Sequence, residues 1–314
     1  MLQNPGGYQH PEYAASLKFC GQPWSLDRSG GWLLRRSIPG TPYFDAMGCY
    51  PLFTCRQWDQ LPADMANLPP DWVCVTAVTD PLAAFDEDTI RQSFPDMCHP
   101  YKEHMLVDLS EPKETFVDPH HRRYARWALK RVHVDLCATP RADLDTWCRL
   151  YQDLCKRHAI AGIAHFSRSA FQSQLSLPGT VVFKATINHE TVSMLIWYRM
   201  GPRAYYHLGA SNAAGYQARA SFALFWESID YFTAEGVHWL NLGSGPGWQS
   251  DGNSGLARFK RGWSNARRSS YFCGRVIDRQ TYRRLDQAAA TAPPDFFPRY
   301  RFADWNDTDH HFTD

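Results

Sequence analysis

Hydrophobic and polar positions in the second half of the chain follow a regular succession of strand-like and helix-like repeats. Period-two alternation and short β-branched runs predict strands, whereas apolar positions three and four residues apart predict helices. The predicted order is one strand, two helices, three consecutive strands, a helix, a strand, a helix and a last strand. The corresponding segments are 131–137, 142–158, 169–175, 180–187, 192–199, 204–208, 216–234, 237–242, 255–261 and 270–275. Short connectors predict antiparallel hairpins for the three consecutive strands, and Gly236 is predicted to end the longest helix as its C′ residue.

The first half of the chain has a less regular pattern. Residues 32–38, 72–78 and 104–109 predict strands, and residues 86–94 predict a short helix that ends before Pro95. At about 150 residues per domain, a chain of 314 residues corresponds to two domains, each large enough for its own core. The predicted boundaries are an N-terminal arm over 1–29, a first domain over 30–130, a second domain over 131–290 and a polar tail over 291–314.

Charge is balanced over the whole chain but concentrated locally. With 33 Lys and Arg against 32 Asp and Glu, the net charge of +1 excludes a global basic field that would recruit nucleic acid. Any anion site is therefore local. Residues 111–131 predict a long helix that is interrupted or starts again near Pro119, and its later part carries cations at positions 122, 123, 126, 130 and 131. Its cationic face is either solvated or faces an anion such as phosphate or RNA.

Cysteine spacing and apolar run lengths exclude several other classes. The nine cysteines are odd in number and none is paired at Cys-x-x-Cys spacing, so we expect buried free thiols, a reducing compartment and no metal site. No apolar run approaches the roughly 18 residues of a membrane span, and the first seven residues lack the features of a signal peptide. The sequence therefore predicts a cytoplasmic protein without a membrane span.

Three motifs in the second half of the chain carry a family resemblance. They are Y-Y-H-L-G-A-S at 205–211, G-V-H-W-L-N-L-G at 236–243 and G-L-A-R-F-K-R-G-W at 255–263. Together with the predicted element order, they resemble the C-terminal half of the FemAB-like branch of the GNAT acyltransferase superfamily, which includes peptidoglycan-bridge aminoacyltransferases. The segment that starts at Lys102 resembles the passage between the two halves of those proteins.

The resemblance implies an α/β fold with a mixed sheet. A degenerate GNAT-like half over 30–130 would precede a complete GNAT half over 131–290. In the complete half, we expect the strands that carry His207 and Trp239 to lie side by side and to diverge at one end.

The resemblance also implies an enzyme that transfers an acyl or aminoacyl group and forms an amide or ester. Members of the branch use aminoacyl-tRNA or acyl thioesters as co-substrates, and we expect no permanently bound cofactor. We favour aminoacyl-tRNA as the donor, bound by its acceptor end. The chain has no sustained heptad run for a coiled-coil arm, which favours a small-molecule or lipid-linked acceptor over a peptidoglycan bridge. The alternatives are an acyl-CoA-dependent N-acyltransferase and a non-catalytic GNAT-like scaffold that binds a carbohydrate or peptidoglycan precursor.

Lys260 is the strongest candidate for a functional residue. The lysine of the corresponding family motif faces the phosphate end of the donor, so the resemblance implies this role for Lys260, with a partly solvated side chain. The cations of this segment are Arg258, Lys260, Arg261, Arg267 and Arg268. Arg258 and Arg261 are assigned to donor binding, because cations without acidic neighbours suit a nucleotide or tRNA terminus. The alternative is a solvated basic face. Trp248, in the glycine-rich loop before the motif, is a candidate acceptor contact.

The predicted strand over 204–208 and the turn after it supply the other candidates. His207 titrates near neutrality and is either the base that takes a proton from the acceptor or a buried core histidine. Where GNAT enzymes carry a glycine-rich loop for the coenzyme A pyrophosphate, this chain has A-S-N-A-A-G-Y-Q-A-R-A with one glycine. That loop forms either a partial anion nest or a simple helix cap. The donor-binding candidates in this region are Tyr206, Ser211, Asn212, Gly215 and Arg219.

Overall fold

A computed structural model of the chain describes residues 6–245, 254–289 and 291–302. The strands of the described residues are β1 Gln22–Leu26, β2 Gly31–Ser37, β3 Phe44–Gly48, β4 Trp72–Val78, β5 Met97–Asp108, β6 His133–Leu136, β7 Thr180–Ile187, β8 Glu190–Met200, β9 Arg203–Ser211, β10 Trp239–Asn241 and β11 Ala266–Val276. The α-helices of the described residues are α1 Pro11–Ser16, α2 Leu61–Ala66, α3 Glu87–Ser93, α4 Lys113–Phe116, α5 Pro119–Ala128, α6 Leu144–His158, α7 Arg168–Gln174, α8 Ala213–Gln217, α9 Ala220–Ala234, α10 Gly255–Arg261 and α11 Arg279–Ala288. Among these described helices, none combines the length and the apolar character needed to cross a membrane.

The elements pack into two compact units, each built from segments that are distant in sequence. The first unit contains Met1–His10, Lys102–His158 and Ser167–Ser269, and the second contains Pro11–Tyr101, Ala159–Phe166 and Ser270–Asp314. This division differs from the boundary predicted at residue 130. The reason is that α5 packs within the first unit, where its buried alanines at 125 and 128 belong to the core.

The sheet of the first unit has the strand order β5, β10, β9, β8, β7, β6. β9 and β10 are parallel, whereas the other neighbouring strands are antiparallel. The three consecutive antiparallel strands predicted from the sequence are therefore confirmed as β7, β8 and β9. Side chains of α5 and α9 form one core with this sheet, and α6 packs against β8 and β9.

The predicted helix over 216–234 is interrupted in the structure. Arg219 has a positive φ of 52°, which separates α8 from α9 because this left-handed conformation cannot continue an α-helix. At the other end, Gly236 has a φ of 68°, and the prediction that it terminates the helix is confirmed.

The sheet of the second unit has the strand order β1, β2, β3, β4, β11. β3 and β4 are parallel and the other neighbours are antiparallel. Much of the predicted N-terminal arm is folded into this unit, because Tyr13 and Leu17 are completely buried. In β1, the Trp24 ring packs edge-on against Trp72 with ring centroids 5.2 Å apart. Within the arm expected over 1–29, Pro11–Ser16 form a helix and Gln22–Leu26 an edge strand.

Part of the predicted polar tail is also folded. Arg301 donates hydrogen bonds from Nε and Nη2 to the buried carboxylate of Asp45, at 2.8 and 2.9 Å. Arg36 Nε donates to the same carboxylate at 3.0 Å. A buried carboxylate needs such partners, and they fix residues near 301 to β3.

Candidate functional site

β9 and β10 run side by side and then separate. Trp239–Asn241 of β10 pairs with Arg203–Tyr205 of β9. Beyond this point β9 continues in its pairing with β8, whereas Leu242 and Gly243 exchange backbone hydrogen bonds with Met105 of β5. The two parallel strands therefore diverge after Asn241, as the sequence predicts, and leave a gap at one end of the sheet.

A β-bulge lies in β9 where the strands diverge. Ile196 of β8 pairs with Leu208 and Trp197 pairs with Tyr206, so His207 is an extra residue on β9. A bulge increases the local twist and interrupts the hydrogen-bonded ladder. This irregularity helps β9 to turn away from β10.

Asn241 occupies the last position of β10 before the gap and is only 2% exposed. Its Oδ1 accepts hydrogen bonds from the Gly243 N–H at 2.8 Å and from His104 Nδ1 at 3.0 Å. These two donors fix the orientation of the side-chain amide. Among the described residues, the buried Nδ2 has no hydrogen-bond partner, which makes it a candidate donor to a ligand in the gap.

Lys260 reaches the same region from α10. Its Nζ donates to the Ser244 carbonyl at 2.8 Å, and the residue is only 7% exposed. The expectation of a partly solvated lysine is therefore wrong, since the side chain points into the protein rather than along a solvated helix face. Gly243, with a φ of 80°, permits this approach, because a Cβ atom there would lie 3.0 Å from Lys260 Nζ.

Two lysine side chains, those of Lys260 and Lys102, place positive charge at the gap. Burial, and next the charge on Lys102, lower the pKa of Lys260 to about 7. Burial lowers the pKa of Lys102 as well, and its Nζ donates to the Gly245 carbonyl at 3.4 Å. Burial, with the charges on Lys260 and Lys102, holds the pKa of His104 at about 4 despite its bond to Asn241, so this ring is neutral near pH 7. Within the described part of the chain, Lys260 forms no ion pair.

His207 lies next to the gap, but its ring is enclosed. The Tyr8 hydroxyl donates to Nδ1 at 3.2 Å and Nε2 donates to Gln174 Oε1 at 3.3 Å. Burial lowers the pKa of this ring to about 3. These contacts favour the core-histidine interpretation over the proton-accepting role, because both ring nitrogens are used to hold β9 to its neighbours.

Tyr206 lines the site through its aromatic ring. The ring packs against Trp197 and Phe225 at centroid distances of 5.4 and 5.0 Å, and Lys260 Nζ lies 5.7 Å from its centroid. Burial raises the pKa of the Tyr206 phenol. Tyr206, which the sequence assigns to donor binding, therefore lies beside Lys260.

The turn after β9 forms a helix cap. Asn212 Oδ1 accepts the Gly215 N–H at 2.9 Å, which uses the backbone donor that a phosphate would need. A Cβ atom on Gly215 would overlap the Val192 carbonyl oxygen, so glycine is required here for close packing. Ser211 is buried and its Oγ lies 2.7 Å from Ser193 Oγ. Asn212 therefore caps α8, and the donor-binding role of Ser211, Asn212 and Gly215 stays a prediction.

The predicted cluster of cations is divided by the structure. Arg258 and Arg261 line a separate cavity of about 500 Å³ with the start of α5. Arg219 stacks on Tyr124, with the guanidinium carbon 3.3 Å from the ring centroid. Arg267 pairs with Glu103 at 3.3 Å, and the Arg268 guanidinium lies over the Trp239 ring at 5.1 Å. Trp248 lies outside the described residues. Within those residues, no group of three or more His, Cys, Asp or Glu side chains could hold a metal ion.

Three residues of the candidate site were not predicted from the sequence, namely Lys102, His104 and Asn241. Asn241 had a detectable signal, because it is a polar residue between two leucines in a predicted buried strand. Such a residue is buried only if its polar atoms have partners or a function. Lys102 and His104 had no comparable signal, since their position depends on the pairing of β5 with β10.

Comparisons with known proteins agree with this geometry. A family model described as an acetyltransferase (GNAT) domain matches residues 119–261. The crystal structure of FemX is similar over 90% of this chain and 95% of its own, with a TM-score of 0.65 and 14% identity. The structure of L-PGS from Bacillus licheniformis is similar over 88% of this chain and 95% of its own, with a TM-score of 0.56 and 14% identity. No significant match was found among curated protein sequences.

The matched domain contains α5, the strands β6 to β10 and α10, and so includes the gap between β9 and β10. The likeness to FemX extends through both compact units. Residues 119–261 therefore match a GNAT acetyltransferase domain, and the chain has the two-half fold of FemX.

Proposed function

We propose that this protein transfers an aminoacyl group from aminoacyl-tRNA to an amine or hydroxyl of a small-molecule or lipid-linked acceptor. The observation that carries the proposal is the buried ammonium of Lys260, which lies beside Lys102 without a carboxylate partner in the described residues. A buried cation without an anion is destabilising. The phosphate end of a donor would supply the missing negative charge, as an ammonium is a compact point charge suited to phosphate.

The helix cap after β9 supports a tRNA donor over coenzyme A. A pyrophosphate bound at a helix N-terminus needs backbone N–H groups that point at it, but the Gly215 N–H is bonded to Asn212. Because charged tRNA is a cytoplasmic species, the proposal places the reaction in the cytoplasm.

The proposed reaction occurs in the gap between β9 and β10. A nitrogen or oxygen of the acceptor attacks the carbonyl carbon of the aminoacyl ester, and the bond from that carbon to the ribose oxygen breaks. The proton lost by the acceptor is taken up by the ribose oxygen, which leaves as a hydroxyl. Asn241 Nδ2 donates a hydrogen bond to the carbonyl oxygen as negative charge develops on it. Lys260 holds the donor phosphate and adds positive charge near the same oxygen.

The test is incubation of the purified protein with charged tRNA and, separately, with acyl-CoA thioesters, each with a mixture of candidate amine acceptors. We expect loss of the aminoacyl ester and a new amide or ester product in the first reaction, measured by mass spectrometry. Lys260→Ala should abolish most of this turnover, whereas Lys156→Ala, an exposed lysine on α6, should not. Turnover with acyl-CoA thioesters alone would show that acyl-CoA, and not aminoacyl-tRNA, is the donor. Absence of turnover with either donor would favour the scaffold function.

A further inference from the structure

The cavity beside α10 is built by close contact between α10 and the beginning of α5. It has a volume of about 500 Å³ and is lined by residues 115–122, Arg258, Arg261 and Gly262. The Asp118 N–H donates to the Gly262 carbonyl at 2.9 Å, and His121 Nε2 donates to the Phe259 carbonyl at 3.0 Å. A Cβ atom on Gly262 would overlap the His121 ring. The cavity walls are therefore fixed by contacts of the Asp118 backbone and the His121 side chain with the backbone of α10 and Gly262, as expected for a preformed ligand site.

The charge on the cavity walls is positive. The described lining residues include three arginines, Arg122, Arg258 and Arg261, and a single carboxylate, that of Asp118. This carboxylate already accepts a hydrogen bond from the His120 N–H at 2.7 Å. Arg258 is exposed and forms no ion pair within the described part of the chain. Guanidinium groups that line one cavity favour a phosphate, which a guanidinium binds with two parallel hydrogen bonds.

The cavity and the acyl-transfer gap share one helix. Arg258 and Arg261 are three residues apart and lie on the same side of α10, and both line the cavity. Lys260 lies between them in sequence and donates to Ser244 at the gap. A donor with several phosphates along its length would therefore contact both sides of α10.

The surface of α5 extends this positive region beyond the cavity. Arg123, Arg126 and Lys130 are exposed along the helix and just after it. The Arg131 guanidinium lies 3.6 Å from the ring centroid of Trp127, an exposed tryptophan. Arginine stacked on an exposed aromatic ring provides a flat cationic surface of the kind on which unpaired bases stack.

We propose that the cavity and the exposed face of α5 form a docking surface for the sugar-phosphate backbone of RNA in the acceptor arm of the donor tRNA. This inference rests on the proposed function and adds a second contact region for the same donor. RNA is favoured over an anionic membrane because α5 also carries the stack of Arg131 on the exposed Trp127 ring, on which unpaired bases can stack. Lipid phosphates would use the arginines but not this aromatic surface.

The experiment measures binding of a fluorescent, uncharged acceptor-stem RNA hairpin by anisotropy between 50 and 200 mM salt. The first variant is Arg258→Gln, which changes an exposed side chain, and the second is Arg258→Gln with Arg261→Gln. Arg149→Gln with Lys156→Gln removes two exposed charges from α6 and is the matched control. We expect the slope of log K against log salt to fall by about 0.7–0.9 for each lost phosphate contact, and the control to keep the slope of the wild-type protein. Thermal unfolding checks that each variant is folded.

Three results would overturn the inference. Unchanged RNA binding in both arginine variants would exclude the cavity while leaving the proposed tRNA donor intact. Absence of RNA binding by the wild-type protein would remove the docking surface and, with it, the tRNA donor. Arginine-dependent binding to vesicles that contain phosphatidylglycerol, without RNA binding, would assign the surface to a membrane instead.

Discussion

The ammonium of Lys260 is buried to nearly the same extent as that of Lys113, but the two lysines have different partners. They are 7% and 8% exposed, respectively. Lys113 pairs with the Asp230 carboxylate and lies over the Trp226 ring, whereas Lys260 contacts the Ser244 carbonyl and is repelled by Lys102. The buried ammonium of Lys260 therefore lowers the stability of the fold, whereas that of Lys113 is compensated.

The first prediction compares these two lysines. Lys260→Met should raise the unfolding temperature at pH 7, because it removes a buried unpaired charge, and should lower turnover by roughly ten- to thousandfold. Lys113→Met should lower the unfolding temperature, because it leaves Asp230 without its partner. Thermal unfolding and initial rates with charged tRNA measure both effects. A lower unfolding temperature in Lys260→Met would show that the lysine stabilises the fold rather than the donor.

The second prediction concerns pH. Burial lowers the pKa of Lys260 to about 7, and only the charged form binds phosphate well. Raising the pH through this value should therefore lower kcat/KM for the donor, by about tenfold per pH unit above it. The arginine of Lys260→Arg stays charged throughout this range. The kcat/KM of this variant should therefore not fall as the pH rises, even if it is lower than that of the wild-type protein at every pH.

The opposite sign would identify a different role. If neutral Lys260 were the general base, kcat/KM would increase as the pH rises through about 7. Stability gives an independent check on the same ionisation. A folded-state pKa below the unfolded value means that the unfolded chain binds more protons between these values, so stability should increase with pH above about 7. Lys260→Met should lack this increase.

The third prediction isolates the hydrogen-bond donor of Asn241. Asn241→Asp keeps an oxygen to accept from Gly243 and His104 but removes the N–H that faces no protein partner within the described residues. We expect kcat to fall by about 10²–10³, the usual effect of losing one oxyanion donor. Asn265→Asp is the control, since Asn265 uses its amide to bridge the backbone of Asp108. It should lose stability without a comparable loss of kcat.

At the scale of elements, α8 shows how a cap can resemble an anion site. The fourth prediction is that Asn212→Ala costs about 1 kcal/mol of unfolding free energy, measured with urea, because the cap to the Gly215 N–H is lost. The KM for coenzyme A thioesters should not change. Tighter binding of coenzyme A in Asn212→Ala would mean that the freed N–H is part of a phosphate site after all.

Elements with strong local signals were predictable from the sequence. β4 and β7 were predicted with both ends correct, because β-branched residues in them are bounded by turn residues. β1 and β3 were missed, since β1 contains Pro23 and only Leu26 of it is buried. β3 contains Asp45, which is a turn-forming residue by propensity and is buried here only because Arg36 and Arg301 neutralise it.

The site was predictable to the extent that a motif marks it. Lys260 was found from the F-K-R-G-W motif, but its burial depends on Gly243 and Lys102, which the chain brings together from distant segments. The same limit applies to Gly215, where glycine is a typical sign of a phosphate loop. Its actual constraint is the carbonyl of Val192, a tertiary contact that no local pattern contains.

At the scale of the whole molecule, the second compact unit joins segments that are far apart in the sequence. Asp45 of β3 and Arg301 are 256 positions apart, and they meet through hydrogen bonds of 2.8 and 2.9 Å. Asp45 is completely buried. The Tyr300 hydroxyl donates to the same carboxylate at 3.2 Å, so the segment around 300 closes the unit by compensating one buried charge.

The fifth prediction tests this closure. Arg301→Gln should lower the unfolding free energy by about 3 kcal/mol, because a buried carboxylate loses its bidentate partner and Arg36 compensates it only in part. Arg279→Gln is the control, since the Arg279 side chain is 62% exposed and its ion pair with Asp96 should contribute no more than about 1 kcal/mol. Urea unfolding at pH 7 measures both. An equally small loss of unfolding free energy in the two variants would mean that Arg301 is a surface contact and that the segment around 300 is not part of the folded unit. A loss in Arg301→Gln that disappears on adding Asp45→Asn would instead assign it to the buried charge.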